Sequence, residues 1–284
     1  MARRDTALRY FNEQKDIMDL KVKSGIELNR KGSAHINIKG ENLPENITVE
    51  VEQKNHEFKF GANIFMLDEF ECEEKNRIYR EKFAELFNLA TVPFYWSDLE
   101  PEEGKPRFAK DSPKIYRRPA PDLCVEYCKE KGIEPKCHCL NYDAWLPDWL
   151  NNATIEEHKA KLEKRFREIA EHYAKDLPSF EVTNETLQNC RSKFFYEDDF
   201  LEWSYRMADR YFPNNRLIIN DYNIWWPNSY NNRNAYFMQI ERLLRNGITH
   251  LDSIGMQFHS FFPLANEPNM AKERYNPDSL YRLM

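Results

Sequence analysis

The sequence predicts an α/β protein of (β/α)8 TIM-barrel class, incomplete at about six βα units, with a small N-terminal antiparallel β appendage. Three observations carry the barrel. Apolar strand candidates recur near 58–65, 90–96, 135–141, 179–184, 216–222 and 252–259. Amphipathic patterns fill the gaps at roughly 73–88, 120–131, 154–175, 197–211 and 231–246, the alternation expected of parallel βαβ units. The third observation is the count: each unit takes about 38 residues, so eight need about 300 residues after Phe58, two units more than follow it here. An open doubly wound sheet could stop at six strands, but no glycine-rich phosphate loop follows any strand candidate.

Taken in order, residues 5–20 read as a helix, with Leu8, Phe11, Ile17 and Leu20 among polar neighbours. The period then shortens to two in Gly25-Ile26-Glu27-Leu28-Asn29, Ala34-His35-Ile36-Asn37-Ile38 and Ile47-Thr48-Val49-Glu50-Val51. Separated by turn-like stretches, these predict the antiparallel sheet of the appendage. The expected organisation is therefore an appendage over 1–57 and the barrel over 58–284. Thr154, with Glu157 three residues on, is a capping box that sets the start of the helix at 154–175.

Composition narrows the function. The chain has 284 residues, 41% hydrophobic and 31% charged, a globular balance. No run approaches the roughly 18 apolar residues of a membrane span. The polar start lacks the apolar core of a secretory signal, so the chain as written is expected to be cytoplasmic, or secreted if a leader was trimmed. A formal charge of -6, with basic residues spread along the chain, argues against nucleic acid. Cys72, Cys124, Cys128, Cys137, Cys139 and Cys190 are expected to be thiols. A four-thiolate zinc site from Cys124, Cys128, Cys137 and Cys139 competes with buried thiols packing a helix on a strand; it lacks tight knuckle spacing, and packing is favoured.

In a barrel, chemistry sits just past the C-terminal ends of the strands. Those positions read Gly61-Ala62-Asn63, Tyr95-Trp96-Ser97-Asp98, His138 through Asp143, Thr183-Asn184-Glu185, Asn220-Asp221-Tyr222-Asn223 and Gln257-Phe258-His259. Amides, carboxylates, imidazoles and rings in this number suit sugar hydroxyls and sugar faces. A carboxylic acid at Glu185, desolvated among such groups, suits a general acid; alone, it would more simply be a strand-end glutamate paired with a loop cation.

The neighbouring motifs change that balance. Phe180-Glu181-Val182-Thr183-Asn184-Glu185 resembles the W-D-V-V-N-E segment of glycoside hydrolase family 10, the β-1,4-xylanases. Arg216 through Asn223 is similar to the family's K-L-Y-I-N-D-Y-N, and Leu251 through His259 to its I-D-G-I-G-M-Q-x-H. Lys136-Cys137-His138-Cys139-Leu140, followed by Pro147-Asp148-Trp149-Leu150, resembles G-H-T-L-V-W-H…P-x-W. The resemblance runs in order over about 58–260.

Carried over, the resemblance makes Glu185 the acid/base of a retaining hydrolase of xylan or a related β-linked chain. Asn184 would bond a 2-hydroxyl, His138 would line the same subsite, and Gln257 and His259 would orient the nucleophile. Tyr222 and Trp96 complete the substrate-binding set. Carbohydrate is the expected partner, and no metal or organic cofactor is required. The family's nucleophile comes from a T-E-L-D-like seventh strand, and no such segment follows His259; the tail around Ala265-Asn266-Glu267-Pro268 reads as loop. The 284 residues alone are accordingly expected to be inactive, and open barrel edges invite self-association. The rival reading is an inactive carbohydrate-binding barrel. Departures touch the substrate: the family's second-strand Asn and Lys are Val92 and Tyr95, and its third-strand Trp-His pair is Tyr142-Asp143.

Overall fold

The computed structural model of the protein describes residues 3–54, 56–188, 190–222, 234–259 and 263–283. Asn223 and the predicted helix start at 231–233 lie outside them. The chain divides by its contacts into two units, one of 1–58 with 225–230 and 260–284, the other of 59–224 with 231–259.

In the first unit, helices α1 (Arg3–Ala7), α2 (Arg9–Glu13) and α3 (Lys15–Asn29) succeed one another. The predicted appendage sheet is not there. Gly25 to Asn29 form the last turns of α3, and no strand occurs over 31–58 among the described residues. Five residues of alternation cannot by themselves distinguish strand from helix, and here the i,i+4 pair Lys15–Asp19 supports helix. Further on, Ile36 and Val51 are 63% and 84% exposed. Alternation that buries neither face gives a hairpin nothing to pack on.

The second unit is a six-stranded, wholly parallel sheet in the order β1-β2-β3-β4-β5-β6. Its elements alternate: β1 (Gly61–Asn63), α4 (Glu73–Leu86), β2 (Leu89–Pro93), α5 (Trp96–Leu99), α6 (Pro121–Lys131), β3 (Glu134–His138), α7 (Ile155–Tyr173), β4 (Ser179–Asn184), α8 (Phe200–Tyr211), β5 (Arg216–Asp221), α9 (Ala235–Arg245) and β6 (Ser253–Met256). Each strand pairs with its sequence neighbour, as in a right-handed βα array. The predicted capping box forms at the start of α7. Thr154 Oγ1 accepts from Glu157 N at 3.2 Å, and Glu157 Oε2 accepts from Thr154 N at 2.8 Å. Buried Leu162, Phe166 and Ile169 then make its inner face.

Outward-facing strand residues build the core against the helices. Phe180 is fully buried, with its ring centroid 4.2 Å from that of Phe212 at the end of α8. Burial of such a side chain stabilises by roughly 1.5–3 kcal/mol. Cys124 and Cys128 of α6, Cys137 of β3 and the following Cys139 are buried free thiols. Burial pushes each thiol above its usual range, so all four keep their protons. No described helix is long and apolar enough to cross a membrane.

The tail also departs from expectation. In the first unit, a 3-10 turn at Leu264–Asn266 leads into α10 (Glu267–Glu273), followed by α11 (Pro277–Leu283). Pro268 fits the first turn of α10, where its missing N–H costs nothing. Arg3 Nε binds both Glu267 oxygens at 3.0 and 2.9 Å, tying α10 to α1.

Candidate active site

The C-terminal ends of the strands surround a cleft of about 650 Å³, in which Gly61 to Asn63, His138, Asn184, Glu185, Gln257 and His259 are among the lining residues. β4 supplies the acidic side chains through a break in its alternation. Glu181 pairs with Ile218 and Thr183 with Ile219, leaving Val182 without a partner on β5. The extra residue shifts the alternation by one, so Glu181 and Asn184, three apart, both line the cleft.

Glu185 follows at φ 56°, the left-handed region that a glutamate avoids. Surrounding bonds hold it there. Its N–H donates to the Asn220 carbonyl at 3.0 Å. Asp221, fully buried, then secures the next turn: its Oδ2 accepts from Leu187 N at 3.0 Å and Thr186 Oγ1 at 3.4 Å, and its Oδ1 from Tyr222 N at 2.7 Å. Burial pushes the Asp221 carboxyl up to about 6; the backbone donors oppose the rise and the Glu185 charge adds to it. Farther along the same loop, Asp143 accepts from Arg191 N at 2.6 Å and Ser192 N at 2.8 Å. Glu185 is half-buried, and the Tyr142 hydroxyl donates to its Oε2.

A polar network fills the floor. Glu181 is 0% exposed; its Oε1 meets His138 Nδ1 at 2.9 Å and Asn220 Nδ2 at 3.0 Å, and its Oε2 meets Lys136 Nζ at 3.1 Å. Burial alone would raise this carboxyl, but His138, Lys136 and Asn220 outweigh it and hold the group at about 2. On the other side of the imidazole, His138 Nε2 meets Tyr95 Oη at 3.0 Å. Asn184 Oδ1 accepts from Asn220 Nδ2 and Gln257 Nε2, both at 3.0 Å. This fixes the Asn184 amide with its NH2 left for a ligand oxygen. Gln257 Oε1 is buried without a partner among the described residues.

The second- and third-strand loops form an aromatic wall. Tyr95 and Trp145 have centroids 4.9 Å apart, and the Arg118 guanidinium lies 4.2 Å from the Tyr95 centroid and 5.0 Å from that of Trp145. Arg118 Nε donates to Asp98 Oδ2 at 2.7 Å. Beneath, the buried Arg165 of α7 donates to the carbonyls of Phe94, Cys139 and Leu140, tying the ends of β2 and β3 together. A metal is disfavoured on chemical grounds: His138, Cys139 and Glu181 offer donors within 4.8 Å of one another, but the Lys136 ammonium already holds that carboxylate.

The structure thus brings Glu185, Asn184, His138, Gln257 and His259 to one cleft. Trp96 departs from expectation. It is 3% exposed on α5, donates Nε1 to Glu100 Oε2 at 2.9 Å and packs edge-on against Trp149, so it belongs to the core. Tyr222 does not line the cleft, although its phenol feels the Glu185 charge. Lys136, Glu181 and Asp221 carry the framework without having been given a role from the sequence, and Tyr142 and Asp143, noted there only as departures on the third strand, belong to it as well.

The sequence pattern described as Glycosyl hydrolase family 10 matches residues 53–275. Endo-1,4-beta-xylanase B of Cellvibrio japonicus is 26% identical over 171 residues, 58% of this chain and 27% of that protein. Endo-1,4-beta-xylanase A of Humicola insolens is 24% identical over 58% of this chain and 42% of its own. The chain therefore spans less than half the length of these relatives. Among solved structures, native xylanase 10B from Thermotoga maritima superposes at a TM-score of 0.57 with 24% identity, over 70% of this chain and 60% of that one. The Thermotoga petrophila xylanase 10B complex with xylobiose gives 0.58 at 24% identity, over 76% and 64%. These likenesses identify the six-stranded sheet as part of a TIM barrel, and with the match over residues 53–275 the chain belongs to glycosyl hydrolase family 10.

Proposed function

We propose that the protein hydrolyses internal β-1,4 bonds of xylan or a related β-linked chain by a retaining double displacement, with Glu185 as acid/base. The observation that carries this reading is the position of Glu185, directly after β4, opening into the strand-end cleft beside Asn184. In the first step Glu185 gives its proton to the glycosidic oxygen as the C1–O bond breaks and a second carboxylate bonds to C1. In the second, Glu185 takes a proton from water, whose oxygen attacks C1 and releases that carboxylate.

Retaining pairs stand roughly 5–5.5 Å apart, and the second carboxylate must be free to attack. Glu181 is unsuited to that role, because Lys136, His138 and Asn220 engage both its oxygens. The nucleophile in this reading comes from a seventh strand, and the six-stranded sheet alone binds carbohydrate without turning it over. The same engagement of Glu181 favours the second reading, a barrel that binds sugar without hydrolysis.

Subsite chemistry should differ from the family's usual pattern. Tyr95, with the Trp145 ring beside it, offers a ring face where the resemblance leads one to expect an ammonium group, and Val92, which stands for the expected amide, is fully buried. Calorimetric titration with xylo- and cello-oligosaccharides tests the reading. Binding of both, weakened about tenfold or more by Tyr95→Ala, is expected. Failure to bind either, or a sharp xylan preference indifferent to Tyr95→Ala, contradicts it.

A further inference from the structure

We infer that Tyr142 is a positioning residue for Glu185: its hydroxyl occupies Oε2, so that the proton Glu185 delivers and recovers is carried on Oε1. The inference rests on the acid/base reading of Glu185 and adds which oxygen reacts and what selects it.

The geometry supports the selection from both sides. Tyr142 Oη donates to Glu185 Oε2, whereas Oε1 carries no hydrogen bond among the described residues and belongs to a side chain that lines the cleft. The main chain on either side is fixed independently, by Glu185 N on the Asn220 carbonyl and by Asp221 on Thr186 and Leu187. With the main chain fixed, the side chain keeps its own torsions, and the bond from Tyr142 to Oε2 is the contact that orients the carboxyl. Tyr142 is itself held. Asp143, the next residue, is 2% exposed and bound to the loop at Arg191 and Ser192, and the Tyr95 ring lies 6.2 Å away.

A phenol suits this work because it stays a donor. Burial, then the bond to Glu185, holds the Tyr142 proton well above the usual tyrosine range. Tyr142 stands where the family resemblance places the tryptophan of a third-strand Trp-His pair. Exchanging an indole for a phenol keeps a ring beside the cleft and gives it a hydroxyl that reaches the acid.

Other groups feel the Glu185 charge and must be separated from Tyr142 in any titration. They are Tyr95 beyond β2, Cys190 in the loop after β4, and Asp221 and Tyr222 at the end of β5. Lys136, His138, Glu181 and His259 line the same cleft.

The test needs no turnover. The 284-residue chain is labelled with carbon-13 at tyrosine Cζ, and the Tyr142 resonance is assigned by its loss in Tyr142→Phe. At one fixed pH the signal should move when Glu185→Gln changes its acceptor, and keep its place in Asp221→Asn. A resonance indifferent to Glu185→Gln, or displaced as far by Asp221→Asn, overturns the inference. None of these outcomes bears on whether Glu185 protonates a leaving group, which hydrolysis measures separately.

Discussion

Glu181 shows how a buried charge becomes tolerable and what it does to stability. His138, Lys136 and the Asn220 amide hold its carboxyl at about 2, against an ordinary value of 4.5. A group depressed in the folded state contributes stability that is fully present above its unfolded value. The contribution is lost as pH falls from about 4.5 towards about 2. It amounts to roughly 3 kcal/mol at neutral pH. Glu181→Gln should remove that acid dependence and, by leaving Lys136 without its counter-charge, lower the urea midpoint at neutral pH. Equal acid slopes for the two proteins would contradict the ion-pair account. Little of this was legible in the sequence. Glu181 alternates with Phe180 and Val182 as a surface residue of any strand would, and its partners Lys136 and Asn220 lie 45 and 39 residues away. Glu185, Asn184, His138 and Gln257 were legible because strand ends and motif spacing are local properties. Trp96 was misplaced because a ring at a strand end reads the same whether it faces sugar or core.

At the scale of elements, the close approach of β5 and β6 carries the cleft floor. A Cβ on Gly255 would lie 2.5 Å from Asn220 Oδ1 and 2.9 Å from its Cβ. Asn220 is the amide that links Glu181 to Asn184, so pressure at Gly255 reaches the groups that would hold a sugar. Gly255→Ala should cost roughly 1–3 kcal/mol in unfolding free energy and weaken oligosaccharide binding in parallel. An unchanged urea midpoint with unchanged binding would show that the strands yield there. The βα rhythm was readable because helix and strand periods differ over long runs and caps such as Thr154 mark their ends. The bulge at Val182 was not, since nothing in a single strand reports its partner's register. The appendage sheet was misread because α3 continues through Gly25, and because alternation at 34–38 and 47–51 never acquires a buried face.

For the whole molecule, the sheet of the second unit begins at β1 and ends at β6, each with one strand neighbour among the described residues. Ile254 on β6 and Ile78 and Leu86 on α4 are 52%, 43% and 62% exposed, which is apolar surface that further βα units of a barrel would cover. The barrel class could be inferred from strand spacing, since that spacing reflects one βα unit at a time. The activity depends on a second carboxylate and on closure, which are properties of the assembled barrel. Whether Glu185 protonates the leaving group is decided by completing the barrel with the seventh and eighth βα units of a family 10 xylanase. Hydrolysis of aryl β-xylobiosides of graded leaving-group acidity is then compared with and without Glu185→Gln. With Glu185 as the acid, Glu185→Gln loses roughly a hundredfold or more on poor leaving groups and little on activated ones. Equal losses across the series would contradict it.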